Sequence, residues 1–238
     1  MIIRFESVAK SFTNQENALS EINFEIGAGE FTALSGPSGS GKTTILNLAT
    51  GLDSPTSGTV TLLGHDLQTL NARDLSALRR RNVGFVFQSY NLFPILTALE
   101  NVEFPLALQG IPKSQRTVRA QQALDQTGCG ELRKRLPSEL SGGQQQRIAI
   151  ARAIVSEPKI VFADEPTANL DSTTAKKLIE LFQRLNESRK ITFLFSSHDP
   201  LVLNTAKRIL KVKDGRIQHE YKETSDFNSM VVPLRLAS

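Results

Sequence analysis

The sequence predicts an α/β fold with a mostly parallel sheet as its core, because short runs typical of β-strands alternate with helical patterns. Residues 83–87 and 160–163 form continuous apolar runs, as strands buried on both faces of a parallel sheet do. From about residue 89 to residue 144 the chain shows helical stretches and no convincing strand. We therefore expect a helical subdomain inserted into the α/β core.

The strands are predicted from runs rich in β-branched and aromatic residues. In chain order they are residues 2–8, 22–26, 31–35, 59–63, 83–87, 160–163 and 191–195. Residues 209–212 and 217–219 flank Asp214-Gly215, a dipeptide typical of β-hairpin turns. This hairpin indicates an antiparallel region at an edge of the β structure.

The helices are predicted from apolar residues that recur at a spacing of three or four. In residues 173–185, one face is shared by Ala175, Leu178, Ile179, Phe182 and Leu185. Further helical segments are residues 44–49, residues 115–126 and the run that ends at Val155. We expect one domain over residues 1–221, made of an α/β core (1–88 and 156–221) and a helical subdomain (about 89–155), followed by a tail (222–238).

Composition and charge restrict the class of protein. The chain contains 28 Lys and Arg and 24 Asp and Glu, and the net charge of +4 suits phosphates or a membrane surface but is too small to indicate nucleic acid. The single cysteine, Cys129, excludes an internal disulfide and a zinc site built on several cysteines. No apolar run is long enough to span a bilayer, and the N-terminus does not resemble a signal peptide. We expect a cytosolic protein, or one held at a membrane by a partner.

The strongest motif is a glycine-rich loop between the predicted strand at residues 31–35 and the predicted helix at residues 44–49. It fits the pattern G-x-x-x-x-G-K-[ST] and consists of Gly36, Pro37, Ser38, Gly39, Ser40, Gly41, Lys42 and Thr43. The glycines let backbone N–H groups face phosphates, and the helix that begins near Thr44 adds a positive dipole end. Lys42 supplies a charge for the β- and γ-phosphates, and the Thr43 hydroxyl is placed to bind Mg²⁺. A chance match in a Gly/Ser-rich turn is the alternative, but the flanking strand and helix favour a nucleoside triphosphate site.

Two acidic residues follow the apolar strand at residues 160–163. Ligands of open α/β sheets bind at the carboxyl ends of the strands, so Asp164 and Glu165 are expected beside the phosphate loop. Asp164 would reach Mg²⁺ through water, and Glu165 would orient and deprotonate the attacking water. A solvated acidic turn is the alternative, and the phosphate loop favours the functional interpretation.

Polar residues follow two further apolar strands. His198 comes after residues 191–195 and could contact the γ-phosphate, although a lone histidine is usually structural. Gln88 follows residues 83–87, and its amide could bind Mg²⁺ or the attacking water, although a polar residue there is normally part of a turn. Both residues are therefore candidates for the catalytic site.

A second anion site is indicated before the helical run that ends at Val155. Its residues are Ser141, Gly142, Gly143 and Gln144. Ser141 and Gln144 have the spacing of a capping box, which alone would be a structural role. A cap does not need two glycines, whereas Gly142 and Gly143 leave bare N–H groups at a helix N-terminus. One chain would then carry two phosphate-binding helix starts.

This set of motifs resembles ATP-binding cassette ATPases over about residues 1–220. The phosphate loop, Gln88, the LSGGQ-type run of residues 140–144, Asp164-Glu165 and His198 occur in the order typical of that family. The resemblance implies ATP and Mg²⁺ as ligands, and a homodimer whose subunits pair head to tail. Each ATP would lie between one phosphate loop and the partner's LSGGQ-type run, which would explain the second anion site.

The resemblance extends to single residues. Asp171, in the run Asn169-Leu170-Asp171, resembles the D-loop residue that touches the partner subunit. Phe12 resembles the aromatic residue that stacks on adenine, although a lone phenylalanine is more often part of a core. The segment around His198 reads Ser-Ser-His-Asp instead of the frequent Thr-His-Asp, but it keeps the histidine.

Residues 50–58, 83–92 and 99–106 are similar to the lipoprotein-releasing and macrolide-exporting branch of the family. This similarity implies an integral membrane permease that docks near residues 88–96, and a peripheral location at the cytoplasmic face of the inner membrane. The groove would be lined by Tyr90, Leu92, Phe93 and Leu96, although at least two of them would belong to the subdomain core.

Other functions stay open at this point. A cassette ATPase acting on DNA would carry long coiled coils or zinc modules, and one acting on the ribosome would carry two cassettes, but the chain has no sustained heptads and one phosphate loop. A regulatory module without catalysis would be expected to lack Glu165 or His198. Another ABC import or export system shares fragments of the same patterns. We expect no nucleic acid partner.

Overall fold

The computed structural model describes residues 1–12 and 18–222. Ten strands lie in these two ranges: β1 (Ile3–Lys10), β2 (Leu19–Ile26), β3 (Phe31–Ser35), β4 (Ser57–Leu62), β5 (His65–Asp66), β6 (Val83–Val86), β7 (Ile160–Asp164), β8 (Thr192–Ser196), β9 (Arg208–Lys213) and β10 (Arg216–Tyr221). The α-helices of the same ranges are α1 (Lys42–Thr50), α2 (Ala72–Asn82), α3 (Ala98–Leu108), α4 (Lys113–Gln126), α5 (Gly142–Ile154), α6 (Ser172–Arg189) and α7 (Pro200–Thr205).

The main sheet has six strands in the order β10-β9-β3-β8-β7-β6. Neighbours from β9 to β6 run parallel, and β10 is antiparallel to β9. The hairpin turn between β9 and β10 contains Asp214 and Gly215, both with positive φ (49° and 70°). A second, antiparallel sheet has the order β2-β1-β4-β5. The predicted parallel core with an antiparallel region is confirmed, and most of the antiparallel strands form a sheet of their own.

Side chains of the main sheet pack into two cores, one on each face. In β8, Phe193 and Phe195 face the core that α5 and α6 cover, whereas Leu194 faces the core that contains α1. This alternation is expected because successive side chains of a strand point to opposite faces. Since both faces are covered, every residue of β3 and of β8 is buried. Burial on both faces explains the continuous apolar runs in the sequence.

A third core lies within the inserted helical region, which confirms the fold predicted there. Helices α3, α4 and α5 pack around this core with residues such as Val102, Leu124 and Ile148. Helix α5 also places Ile150 and Ile154 in a core of the main sheet. It therefore joins the helical region to the sheet. The limits of the subdomain, residues 89–155, stay a prediction.

Two helices were not expected from the sequence. Helix α2 has no fully buried residue, and its apolar side is narrow, with Leu75 and Leu78 partly buried against a core of the main sheet. Its Asn71 cap and Asp74 are a usable start signal. Helix α7 has six residues and begins after Asp199, whose side chain accepts from the Leu201 N–H. Residues 223–238 of the predicted tail lie outside the described residues. Among the described residues no helix has the length and apolarity needed to cross a membrane.

Candidate nucleotide-binding site

The phosphate loop joins the end of β3 to the start of α1. Gly39 and Gly41 have φ angles of 78° and 104°, which favour glycine, and a Cβ at residue 41 would lie 2.6 Å from the Leu19 side chain. No side chain caps the N-terminus of α1, and no acidic residue occurs in its first turn. The first N–H groups of α1 are therefore left to a ligand, and the helix dipole favours an anion there.

Lys42 is held inside this loop. Its side chain is 7% exposed, and its Nζ donates to the carbonyl oxygens of Gly36 (2.8 Å) and Pro37 (2.9 Å). The sequence predicts a charge for the β- and γ-phosphates, and the structure holds this ammonium group on two carbonyls of the loop. This arrangement keeps a positive charge within the phosphate cradle.

Oxygen ligands from two elements meet next to the loop. The Thr43 hydroxyl at the start of α1 donates to Asp164 Oδ2 (3.1 Å) at the end of β7. The described residues contain no cluster of three or more His, Cys, Asp or Glu side chains that could hold a metal by themselves. Mg²⁺ commonly binds one or two protein oxygen ligands together with substrate phosphates, so this pair fits Mg²⁺ bound with a nucleotide.

Glu165 occupies an unusual backbone position directly after β7. Its φ is 44°, a left-handed value uncommon for residues other than glycine, and its N–H donates to the Ser196 carbonyl of β8 (2.9 Å). Oε1 lies 3.0 Å from His198 Nδ1 and 4.0 Å from Lys42 Nζ. Oε2 is buried and has no hydrogen-bond partner among the described residues. The carboxylate therefore faces His198 and Lys42 through Oε1.

These residues share one cavity of about 830 Å³. Of the residues predicted from the sequence, its lining contains Phe12, Ser38, Gly39, Gly41, Lys42, Thr43, Thr44, Gln88, Asp164, Glu165 and His198. Of the remaining loop residues, Gly36 and Pro37 hold Lys42 through their carbonyls, and the Ser40 side chain is buried. Sequence reasoning missed Ala18, Ala168 and Ser196, which also line the cavity. Their small side chains are not typical of a nucleotide site. Only their places near strand ends could have indicated that they line the cavity.

The residues of the predicted second anion site lie outside this cavity. The Ser141 N–H donates to Gln144 Oε1 (2.9 Å), and the Gln144 N–H donates to Ser141 Oγ (3.4 Å), so the capping box is present. None of residues 141–144 lines the cavity that contains the phosphate loop. The N–H groups of Gly142 and Gly143 therefore do not face the cavity of the chain's own phosphate loop.

Asp171 is also absent from the lining of the cavity. Its carboxylate caps α6 and accepts from the Thr174 N–H (3.0 Å) and hydroxyl (2.6 Å). These bonds, the hydroxyl first, lower the pKa of Asp171. Gly143 faces the Thr174 methyl group, so the starts of α5 and α6 are neighbours.

Comparison with known proteins places this geometry in a family. The profile of the ABC transporter family matches residues 19–168. An ABC transporter ATP-binding protein of Bacillus subtilis is 43% identical over 219 residues, which cover 91% of this chain and 95% of that protein. A macrolide export ATP-binding/permease protein of Syntrophobacter fumaroxidans is 43% identical over 230 residues, but the chain spans 32% of its length.

A solved structure matches closely as well. It is the dimeric, post-hydrolysis state of an ATP-binding cassette, bound to ADP and Pi, from Methanocaldococcus jannaschii. It has a TM-score of 0.86 and 40% identity, and the match covers 93% of this chain and 98% of that chain. The family match and this solved structure identify an ATP-binding and ATP-hydrolysing protein. The chain belongs to the ABC transporter family. It is the ATP-binding subunit of a transporter and not an ATPase that acts on DNA or the ribosome. The predictions of family, fold class and ATPase activity are confirmed.

Proposed function

We propose that two copies of this subunit bind ATP with Mg²⁺ between them and, by hydrolysing it, drive a separate integral membrane permease. One observation carries the proposal: the phosphate loop, Asp164, Glu165 and His198 line one cavity, whereas residues 141–144 lie outside it. The N–H groups at the start of α5 are then available to the nucleotide of a second copy. The dimeric state of the relative bound to ADP and Pi supports this arrangement.

Glu165 is the proposed general base. His198 orients the Glu165 carboxylate through Oε1, and this carboxylate accepts the proton of the attacking water. The water oxygen bonds to the γ-phosphorus while the bond to the β–γ bridging oxygen breaks, which leaves ADP and phosphate. Lys42 and the N–H groups of α1 stabilise the negative charge on the phosphates throughout.

Mg²⁺ and the base of ATP use other residues of the same cavity. Thr43, Asp164 and Gln88 would hold the metal, which supplies charge neutralisation at the phosphates when bound. Phe12 lies in the cavity lining with 42% of its surface exposed, which supports a stacking role for adenine and not a core role.

The permease is proposed to dock next to Gln88. A groove of about 330 Å³ there is mostly apolar, and its lining includes Phe85, Phe87, Phe93, Phe104 and Leu108. Phe93 and Leu108 are 40% and 54% exposed, which is typical of a surface that receives a partner. Of the other residues expected there, Leu92 packs against the helical core, Leu96 lines a neighbouring cleft, and the Tyr90 hydroxyl faces Gly142.

One arginine links this groove to the second anion site. Arg152 of α5 lines the groove and donates to the carbonyls of Tyr90 (2.8 Å) and Asn91, whose φ angles are 61° and 48°. Burial lowers the pKa of Arg152 to about 10. The start of α5 belongs to the same helix, so movement at the groove would be transmitted to residues 141–144.

We infer the branch of the family from relatives that combine an ATP-binding part and a permease in one chain. Several are named macrolide export ATP-binding/permease proteins, and the chain matches about a third of each. We infer that this subunit works at the cytoplasmic face of the inner membrane, held there by its permease. Its ATP would serve mechanical work of the macrolide-export or lipoprotein-release type.

A variant of the proposed base tests the scheme. We expect Glu165→Gln to bind ATP normally, to lose about 10²- to 10⁴-fold in turnover, and to dimerise with ATP and Mg²⁺. The measurements are phosphate release and the molar mass in solution, with and without Mg²⁺. Glu187→Gln, on the exposed face of α6, is the matched control and should leave both unchanged. Parental turnover in Glu165→Gln would contradict the assignment of the base.

A further inference from the structure

Lys10, a lysine outside the phosphate loop, is held against Phe12, the residue proposed to stack on the nucleobase. Lys10 is the last residue of β1, and its side chain is only 12% exposed. Its Nζ donates to Asp53 Oδ1 (2.6 Å) and to the Ser54 carbonyl (2.8 Å). The same ammonium group lies 5.0 Å from the centre of the Phe12 ring. It is therefore held on both sides, by a turn and by an aromatic face.

The turn that holds Lys10 follows the helix of the phosphate loop. The N–H groups of Leu52 and Asp53 donate to the Asn47 carbonyl (2.9 and 3.3 Å), which ties this turn to the last part of α1. Lys10 thus connects the far end of α1 to the aromatic ring at the mouth of the cavity. The position of the Phe12 ring is thereby linked, through Lys10 and this turn, to helix α1.

We propose that Lys10 is a positioning residue for the nucleobase, which it serves by covering one face of Phe12 and leaving the opposite face for stacking. This proposal rests on the proposed role of Phe12 in binding the base. A half-exposed ring that is held in place loses less conformational freedom when a base stacks on it, so the cation favours binding without touching the nucleotide.

The backbone next to Phe12 is held independently of Lys10. The Ser11 N–H donates to Thr56 Oγ1 (3.0 Å), and the Thr56 N–H donates to the Ala9 carbonyl (2.9 Å). Removing the ammonium group should leave these bonds intact. A substitution at residue 10 should therefore act on the orientation of the ring.

The first experiment distinguishes binding of the nucleobase from binding of the phosphates. ADP and inorganic pyrophosphate are titrated into the full chain, since neither ligand requires turnover. For Lys10→Met we expect affinity for ADP to fall about two- to fivefold, as loss of a cation–π contact predicts, and affinity for pyrophosphate to stay unchanged. Lys10→Arg keeps the cation and should restore the affinity for ADP. Arg4→Met, also on β1 but in surface ion pairs, is the matched control and should change neither affinity.

A double-mutant cycle with Phe12→Ala completes the test. If Lys10 acts through the ring, Lys10→Met should have no further effect on ADP affinity in the Phe12→Ala chain. Equal losses for ADP and pyrophosphate, or additive losses in the double variant, would overturn the role of Lys10 while the site of Phe12 stands. If the Phe12→Ala variant alone binds ADP as tightly as the parent, Phe12 does not bind the nucleobase. The proposed role of Lys10 then fails as well.

Discussion

Lys42 is an example of a single residue whose role depends on what surrounds it. A buried ammonium group is costly unless it is paired, and here two loop carbonyls at 2.8 and 2.9 Å supply the pairing. The carboxylate of Glu165 is 4.0 Å away and adds a weaker attraction. Phosphate oxygens are stronger acceptors than carbonyls, so a nucleotide can compete for the same donor.

Lys42→Ala should therefore weaken the binding of ADP and ATP about 10- to 100-fold, as loss of a charged hydrogen bond predicts. The measurement is titration of the nucleotide into the purified chain. Lys190→Ala, at an exposed position after α6, is the control and should bind normally. An affinity in Lys42→Ala equal to that of the parent would remove the phosphate loop from the site.

At the residue scale, the sequence indicated which residues are candidates for the site, but it did not indicate their geometry. The spacing of the loop, and the acids after an apolar strand, indicated Lys42, Thr43, Asp164 and Glu165. The left-handed φ of Glu165 and its unpaired Oε2 have no counterpart in the sequence. The Glu165 N–H is bonded to the Ser196 carbonyl of β8, and a linear pattern does not contain such a contact.

At the scale of elements, three helix N-termini carry the motifs, and they differ in how they are capped. Helix α1 has no side-chain cap, whereas α5 is capped by Ser141 and α6 by Asp171. The uncapped start lies in the chain's own cavity, where a phosphate can take the place of a cap. The capped start of α5 has to serve both its own stability and the proposed nucleotide of the partner.

These two roles of Ser141 can be separated by substitution. Ser141→Ala should lower the free energy of unfolding by about 1 kcal/mol, because the helix cap is lost. Ser141→Asp keeps a capping oxygen and should unfold like the parent, but its negative charge should repel the partner's phosphates and prevent ATP-dependent dimerisation. Denaturant unfolding and molar mass in solution measure the two effects. Normal dimerisation of Ser141→Asp would contradict the assignment of this helix start to a second copy.

The elements themselves were predictable where their apolar pattern was strong. Buried strands such as β3 and β7 were found within a residue or so, and α6 was found by its apolar face. Helix α2 was missed because it packs with only a narrow apolar side, chiefly Leu75 and Leu78. Strand β2 begins three residues earlier than residue 22, where the prediction placed it. Weakly patterned segments take their structure from tertiary contacts, so local sequence reveals them poorly.

At the scale of the molecule, the proposed second anion site at residues 141–144 lies outside the cavity of the phosphate loop, so in the proposed scheme a second copy completes each ATP site. The activity of the subunit should therefore depend on its concentration. We expect ATP turnover per subunit to fall when the protein is diluted through the range in which its dimer dissociates, while ADP binding to the single chain stays constant. Phosphate release across a hundredfold dilution series, with ADP titration as the control, measures both. A constant turnover per subunit in a protein that stays monomeric with saturating ATP and Mg²⁺ would contradict the shared site.

The sequence alone determined the class of fold and the family, and it indicated the residue types proposed to carry the chemistry, because hydrophobic periodicity and glycine-rich motifs are local properties of the chain. Tertiary structure decided how these residues meet. It brought the ends of β3, β7 and β8 to one edge, buried Lys42 on its loop, set Glu165 against His198, and kept residues 141–144 outside the cavity. Such distances arise from strand order and packing between segments far apart in sequence, which no local pattern specifies.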